Sequence, residues 1–298
     1  MATPFARPLP ARSVAAAEFP LGQELAPIAP ADFSRLRMLI EERCGIQLPE
    51  SKRPMVEARL RKRLLQLGLS SFNDYWRLLF DPARQSSELV PLTDALTTNK
   101  TDFLREPNHF AILEKSVLPA LYAAGIGRRT PLRVWSAGCS TGEEPYTIAM
   151  CLSETLGDAP WEVLATDLDT QVIATAREGV YPLASVMSLP QERRHRFFQR
   201  GTGRFEGKAR VRQALGARVE FTRLNLMDAE WPVAPGLDAV FCRNVMIYFD
   251  KSTQRGLVER YAALLQPQGL FFAGHAESLL DQGRHFRLRG QTVYERTQ

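Results

Sequence analysis

The chain predicts an α/β protein: a small all-helical unit, then a larger unit built on a parallel, doubly wound sheet with an insertion at its edge. Three observations carry this. Residues 31–95 place apolar side chains at helical spacing and hold no strand pattern. After Leu132, short apolar runs alternate with helical stretches, as strands linked by helical crossovers do. Between Pro182 and Ala217 that rhythm breaks into a polar, basic stretch.

In order along the chain, residues 1–30 are rich in Ala and Pro, lack the apolar core of a signal peptide, and read as a flexible tail. Asp32 stands where it can cap a helix holding Phe33, Leu36, Leu39 and Ile40. A second helix fits Arg53 to Leu67, and a third Asn73 to Phe80, with Gly68 and Ser70-Ser71 between them. On the second, Val56, Leu60, Leu64 and Leu67 share one arc, and Lys52, Arg59, Lys62 and Arg63 lie on the arc beside it. With Arg53 and Arg61 these make six basic residues against one acid, Glu57. The larger unit then runs over 96–298, with strands at Leu132–Ser136, Glu162–Thr166, Val219–Leu224, Ala239–Cys242 and Leu270–Ala273. Helices fit near 145–156, 170–178 and 251–265, and a closing hairpin joins Phe286–Leu288 to Thr292–Tyr294. Inside the insertion, Gly201, Gly203 and Gly207 surround a turn and the pattern then alternates toward Val211, a twisted hairpin whose outer strand exposes an edge.

Composition narrows the class. With 45% hydrophobic and 24% charged residues the chain reads as globular, and its net charge of +5 is too small to name a partner. Cys44, Cys139, Cys151 and Cys242 are scattered, without a C-x-x-C pair, so they read as reduced cytosolic thiols and no metal site is expected. No apolar run is long enough to cross a bilayer.

The turn "WSAGCSTGEEP" (135–145) admits three chemistries. As a hydrolase elbow around Ser140 it needs an oxyanion loop from an earlier strand, and none precedes it, although Asp238 and His275 follow in suitable order. As a phosphate cradle it has the wrong sign, because Glu143 and Glu144 follow Gly142 where a Walker loop has lysine. Acids suit a cation instead, and Thr141 and Glu144 also stand at capping-box spacing with Pro145 in the first turn. The second strand ends at Asp167, where a carboxylate can accept both ribose hydroxyls of an adenosine. Glycine turn, following acids and ribose acid together describe a site for S-adenosylmethionine, which carries a sulfonium and an ammonium but no phosphate.

Four separated stretches then resemble the chemotaxis receptor methyltransferases, the CheR family: "ALTTNKTDFLRE" (95–106), "RVWSAGCSTGEEPYTIA" (133–149), "ATDLDTQVIATAREGVY" (165–181) and "FCRNVMIYFD" (241–250), extended by "FFAGHAESL" (271–279) and "RGQTVY" (289–294). The resemblance implies a helical N-terminal domain, a Rossmann-like methyltransferase domain, and an antiparallel β-subdomain inserted at about 182–217. It implies that Asn99, Thr101, Arg105, Glu144, Asp167, Asn225, Leu226, Arg243 and Asn244 line the cofactor pocket, and that Arg105 and Tyr248 position the substrate carboxylate. Lys100, Cys139 and Ala276 depart from the family's usual residues at positions with no matched role.

The implied reaction turns receptor glutamates into methyl esters and leaves S-adenosylhomocysteine. Glutamate, with a pKa of about 4.3, is already ionised at pH 7, so no general base is required. The implied partner is the cytoplasmic helical region of the receptors, met by Lys52, Arg53, Arg59, Lys62 and Arg63. Some members also bind a receptor's C-terminal peptide on the β-subdomain, which points here to Gly201, Gly203, Gly207, Arg210 and Arg212. A cytoplasmic monomer recruited to receptor arrays, binding no nucleic acid and inserting into no membrane, is the resulting expectation. A nucleic-acid methyltransferase is the rival enzyme, though this chain contains no Pro-Pro for the usual amino-methylating loop. A non-catalytic cofactor sensor is the rival from another class.

Overall fold

The computed structural model describes residues 26–125, 130–278 and 285–297; most of the expected tail lies outside the described residues. The chain is packed before residue 30: Ile28 is buried in the helical domain and its amide donates to Glu57 Oε1 at 2.9 Å.

Four helices form the first domain: α1 (Pro30–Cys44), α2 (Arg53–Leu67), α3 (Phe72–Leu79) and α4 (Gln85–Leu96). Asp32 does not cap α1. The N-cap is Ala29, Pro30 opens the first turn where its missing N–H is harmless, and Asp32 sits within that turn. Ser71 does cap α3, accepting from the Asp74 amide at 3.1 Å. α4 carries Pro91 in its interior, which removes one helical hydrogen bond and blurs the sequence signal. Phe33, Leu36, Ile40, Val56, Leu60, Leu64 and Tyr75 make the core of this domain.

The apolar arc of α2 packs as its spacing requires, but its basic arc is not a free strip. Arg63 donates to both oxygens of Glu88 at 2.9 and 2.6 Å, and Glu88 is only 4% exposed. The Tyr75 hydroxyl donates to the same carboxylate at 2.9 Å. Arg59 donates to the carbonyls of Leu96 and Thr97 at 2.6 and 2.7 Å and to Thr98 Oγ1 at 3.1 Å. Arg53 pairs with Glu50 and Glu57. Only Lys52, Arg61 and Lys62 remain exposed. Helical spacing puts residues on an arc; it cannot show that α4 brings an acid and carbonyls to meet them.

A helical stretch leads into the second domain: α5 (Pro107–Ile112), a π turn at Leu113–Val117, and α6 (Leu118–Ala123). The sheet then uses β1 (Leu132–Ala137), β2 (Trp161–Asp167), β6 (Val219–Arg223), β7 (Leu237–Cys242) and β8 (Leu265–Ala273) in parallel. β9 (Phe286–Gly290) and β10 (Val293–Arg296) close it as an antiparallel hairpin, giving the order β6-β2-β1-β7-β8-β10-β9. Helices α7 (Glu143–Leu156), α8 (Thr170–Glu178) and α12 (Lys251–Leu264) are among the crossovers. Strand order reverses between β1 and β7, so the connections from their C-terminal ends leave in opposite directions and open a crevice there.

The insertion is a second sheet of β3 (Val180–Pro182), β4 (Phe198–Arg200) and β5 (Lys208–Val211), accompanied by α9 (Leu183–Val186), α10 (Gln191–Phe197) and α11 (Gln213–Gly216). β4 and β5 form the expected antiparallel hairpin. However, the order is β3-β5-β4, so the strand bearing Arg210 is central, and the edge that the hairpin leaves open is β4. β3 arrives from before the hairpin, which the local pattern could not reveal.

Arg63→Ala should lower the unfolding free energy by about 3 kcal/mol in urea titrations, because it leaves a buried carboxylate without its partner. Lys62→Ala, at an exposed position, should change it by no more than about 0.5 kcal/mol. Equal effects of the two would return the pair to the surface.

Candidate functional site

The crevice is built first by the turn after β1. Gly138 and Gly142 have φ values of 97° and 100°. A Cβ at Gly138 would come within 2.3 Å of Val245, and one at Gly142 within 2.6 Å of the Tyr181 hydroxyl. Ser140 is held at φ 50°, its amide donating to Asp167 Oδ2 at 2.8 Å and its hydroxyl to the Asn99 carbonyl at 3.0 Å. Ser140 is thus no nucleophile with a base beside it. Asp238 accepts from the Arg133 amide at 2.7 Å, at the opposite end of the sheet from Ser140.

Asp167 closes β2. Its second oxygen accepts from the Asp169 amide at 3.1 Å, yet burial outweighs these amides and pushes the carboxyl up to about 6. Asp169, two residues on, caps α8 and also accepts from Thr97 and Asn99, both at 2.7 Å.

The capping box expected between Thr141 and Glu144 does not form. Gly142 is the N-cap of α7, and Thr141 donates to Glu143 at 2.6 Å instead. Glu144 turns back to the sheet, accepting from Ser136 Oγ at 2.7 Å and from Arg243 Nη1 at 3.1 Å. Arg243 follows β7, is 2% exposed at its side chain, and also pairs with Glu106 at 3.1 Å. Its Nη2 donates to the Arg105 carbonyl. Leu104 and Glu106, on either side of Arg105, both have a φ of 56°, so this segment depends on those contacts to hold its shape. The Arg105 guanidinium pairs with neither Asp102 nor Glu106; it donates to the Lys100 carbonyl at 2.6 Å.

The loop after Arg243 is held by Glu277, which the sequence reading did not single out. Its carboxylate accepts from the amides of Gly274 at 2.6 Å, Asn244 at 2.8 Å and Ile247 at 3.2 Å. An acid shortly after the fifth parallel strand was the one available signal. This loop carries Tyr248, half-buried in a single 3-10 turn.

The helical domain completes the walls. Gln47 donates its amide to the Tyr248 carbonyl at 2.8 Å, and Asn225 donates from Nδ2 to the Arg43 carbonyl at 2.7 Å. Between the two domains lies a cavity of about 370 Å³. Asn99, Thr101, Arg105, Glu144, Asp167, Asn225, Leu226, Arg243, Asn244 and Tyr248 all line it. Lys52, Met55 and Leu48 join them from the helical domain, a contribution that spacing within one domain could not predict. In the inserted sheet a cavity of about 180 Å³ is lined by Gly201, Arg210, Arg200 and Phe205, among others. Gly203, Gly207 and Arg212 do not line it, and Arg212 donates to the His195 carbonyl at 3.2 Å.

Residues 99–295 match the family model "CheR methyltransferase, SAM binding domain", and residues 31–97 match "CheR methyltransferase, all-alpha domain". The chain is 48% identical to chemotaxis protein methyltransferase 2 of Pseudomonas aeruginosa, over 88% of this chain and 92% of the relative. It is 47% identical to the chemotaxis protein methyltransferase of Salmonella typhimurium, over 90% of each. The Escherichia coli protein of that name is 46% identical, over 90% of this chain and 91% of the relative.

Glu277→Ala strips the acceptor from three amides at once. Hydrogen exchange at Asn244 and Ile247 should accelerate roughly tenfold to a hundredfold, while Val240 within β7 stays protected. Unchanged exchange at both amides would remove Glu277 as the anchor of the Tyr248 loop.

Proposed function

The chain belongs to the CheR methyltransferase family, and from that premise we propose that it methylates glutamate side chains of chemotaxis receptors, using S-adenosylmethionine and releasing S-adenosylhomocysteine. What supports the reading is one crevice at the sheet's switch point that holds a half-buried acid suited to ribose, Asp167, together with two carboxylate-directed donors, Arg105 and Tyr248.

The residues present fit the cofactor. A cavity of about 370 Å³ is in the ordinary range for a small ligand. The glycine turn is followed by acids and no lysine, which favours a cationic ligand over a phosphate. When bound, S-adenosylmethionine supplies a methyl group on a positively charged sulfur. Asp167 would accept the ribose hydroxyls, with Asn99, Thr101, Asn225, Leu226 and Asn244 shaping the rest of the pocket. Glu144 would meet the ammonium with the lone pairs that Ser136 and Arg243 leave free. Arg243 thus acts on the pocket through Glu144 and the Arg105 segment.

Arg105 and Tyr248 orient the substrate carboxylate by charge-assisted and hydroxyl hydrogen bonds. Alignment is the main service required, since the nucleophile is ionised at pH 7 and its leaving group is good.

For the partner, Lys52 at the N-cap of α2 and Arg61 and Lys62 within it are the exposed cations that would meet an acidic receptor helix. Arg53, Arg59 and Arg63 are withdrawn from that role because they hold the domain together. A receptor's C-terminal peptide would add to the β4 edge, near Arg200 and Arg210. We place the protein in the cytoplasm, as a monomer brought to receptor arrays. No described helix is long and apolar enough to cross a membrane.

With methyl-labelled cofactor and receptor-rich membranes, label should appear on receptors and leave in mild alkali, as carboxyl esters do. Arg105→Ala should abolish the transfer, and Tyr248→Phe should slow it by a smaller factor. Alkali-stable label, or preferential transfer to RNA, would overturn the assignment.

Cofactor affinity should also carry the titration of Asp167. Ribose hydroxyls donating to this group favour its ionised form, while the ligand-free site holds its pKa at about 6. Binding is therefore strongest above that value. It weakens as pH falls through it, approaching tenfold per unit below. Calorimetry between pH 7 and pH 5 checks this. A flat profile, or a folded Asp167→Ala protein of unchanged affinity, would remove Asp167 from the ribose.

A further inference from the structure

We propose that Glu106, His109 and His275 form a binding site for a divalent transition-metal ion of the zinc class, next to the methyl-transfer crevice but outside it. The donor atoms of the three side chains lie within 4.8 Å of one another.

His109 carries the argument. Its side chain is 0% exposed, and Nε2 lies 2.6 Å from the Gln291 carbonyl and 3.1 Å from Thr292 Oγ1. The Thr292 hydroxyl donates to the Ala273 carbonyl at 2.9 Å, so the groups around Nε2 call for a donor. The proton therefore resides on Nε2, and Nδ1 presents a lone pair. That Nδ1 is buried without a hydrogen-bond partner, 3.5 Å from Glu106 Oε2. A lone pair buried against a carboxylate is an arrangement that a shared cation would resolve.

His275 completes the set from the solvent side. Its ring meets that of His109 edge-on at 5.2 Å, its side chain is 51% exposed, and Nε2 lies 3.9 Å from the same Glu106 oxygen. Ligand atoms around a tetrahedral ion with bonds of about 2.0–2.1 Å stand roughly 3.3 Å apart. Closing on an ion therefore requires the exposed His275 ring and the Glu106 carboxylate to move inward. The backbone carbonyl behind Nε2 of His109 is the partner that orients a ligating imidazole. Two imidazoles and one carboxylate select zinc, nickel or copper over magnesium or calcium.

Arg243 opposes the cation, since it pairs with the same Glu106 oxygen at 3.1 Å. Metal binding must therefore draw Glu106 away from Arg243, which also holds the Arg105 carbonyl. Occupancy would loosen the Arg105 segment and inhibit methyl transfer; this consequence rests on the proposed function, whereas binding itself does not.

The full-length protein, stripped of metal, is titrated with Co²⁺ by visible spectroscopy and with Zn²⁺ by calorimetry. A single Co²⁺ should give tetrahedral ligand-field bands without thiolate charge transfer. His275→Ala and Glu106→Gln, each checked for native circular dichroism, should weaken Zn²⁺ binding by roughly tenfold or more. Zn²⁺ should slow wild-type methyl transfer reversibly and spare His275→Ala. Absence of binding, equal affinity in wild type and His275→Ala, or a thiolate band from one of the four buried cysteines would overturn the site. Binding that leaves methyl transfer unaffected would overturn its coupling through Arg243.

Discussion

One buried guanidinium organises the methyl-transfer end of this molecule. Arg243 stands between Glu106 and Glu144, and all three side chains are largely removed from water. A buried cation of this kind is stable only if both carboxylates remain, and a buried carboxylate only if the cation does. The triad therefore locks three separate pieces of chain: the end of β7, the first turn of α7, and the segment of 104–106. Two of them are poor structures by themselves, since Leu104 and Glu106 in the one and Asn244 beside the other sit at positive φ. Burial raises the Glu144 pKa despite the attraction of Arg243, and the opposing effects at Glu106 leave its carboxyl lowered. The two acids around one cation are thus unequal, with Glu106 the more firmly ionised.

The second constraint is the closure of the helical domain over the sheet. Asp169 is shared by the cap of α8 and by Thr97 and Asn99 of the connecting segment. Asp94 reaches across to the Thr170 amide at 3.0 Å and to its hydroxyl at 2.5 Å. Arg59 fixes the carbonyls just before that segment. A basic residue that spacing offers to a partner instead holds the roof of the pocket. Of the cations left exposed, Lys52, at the N-cap of α2, stands in the cavity wall.

A carboxylate nucleophile arrives ionised, so the protein's task is to arrange donors and shape rather than to move a proton. On the proposed reading, fixed amides, a strained arginine segment and a tyrosine loop anchored by Glu277 would serve that end, because each removes freedom before the substrate enters.

Much was legible in the residues themselves. Strand and helix alternation gave the parallel sheet, since buried strands and their crossovers must alternate in sequence to pack. The turn of 138–142 and Asp167 marked the pocket, because a close backbone approach and an acid at a strand end are local features. The bounds of α2 followed from its own periodicity. Contacts between distant segments did not. Nothing near Glu144 says that Arg243 will neutralise it, and nothing near Arg63 says that Glu88 will be buried against it. β3 pairs with β5 across the whole insertion, which made the Arg210 strand central where the hairpin alone suggested an edge. His109 and His275 lie 166 residues apart, and only the packing of α5 against the end of β8 brings their rings together. Periodicity and motif are properties of neighbours along the chain. The pairing of buried charges is settled by which surfaces the hydrophobic effect presses together, and that is decided in three dimensions.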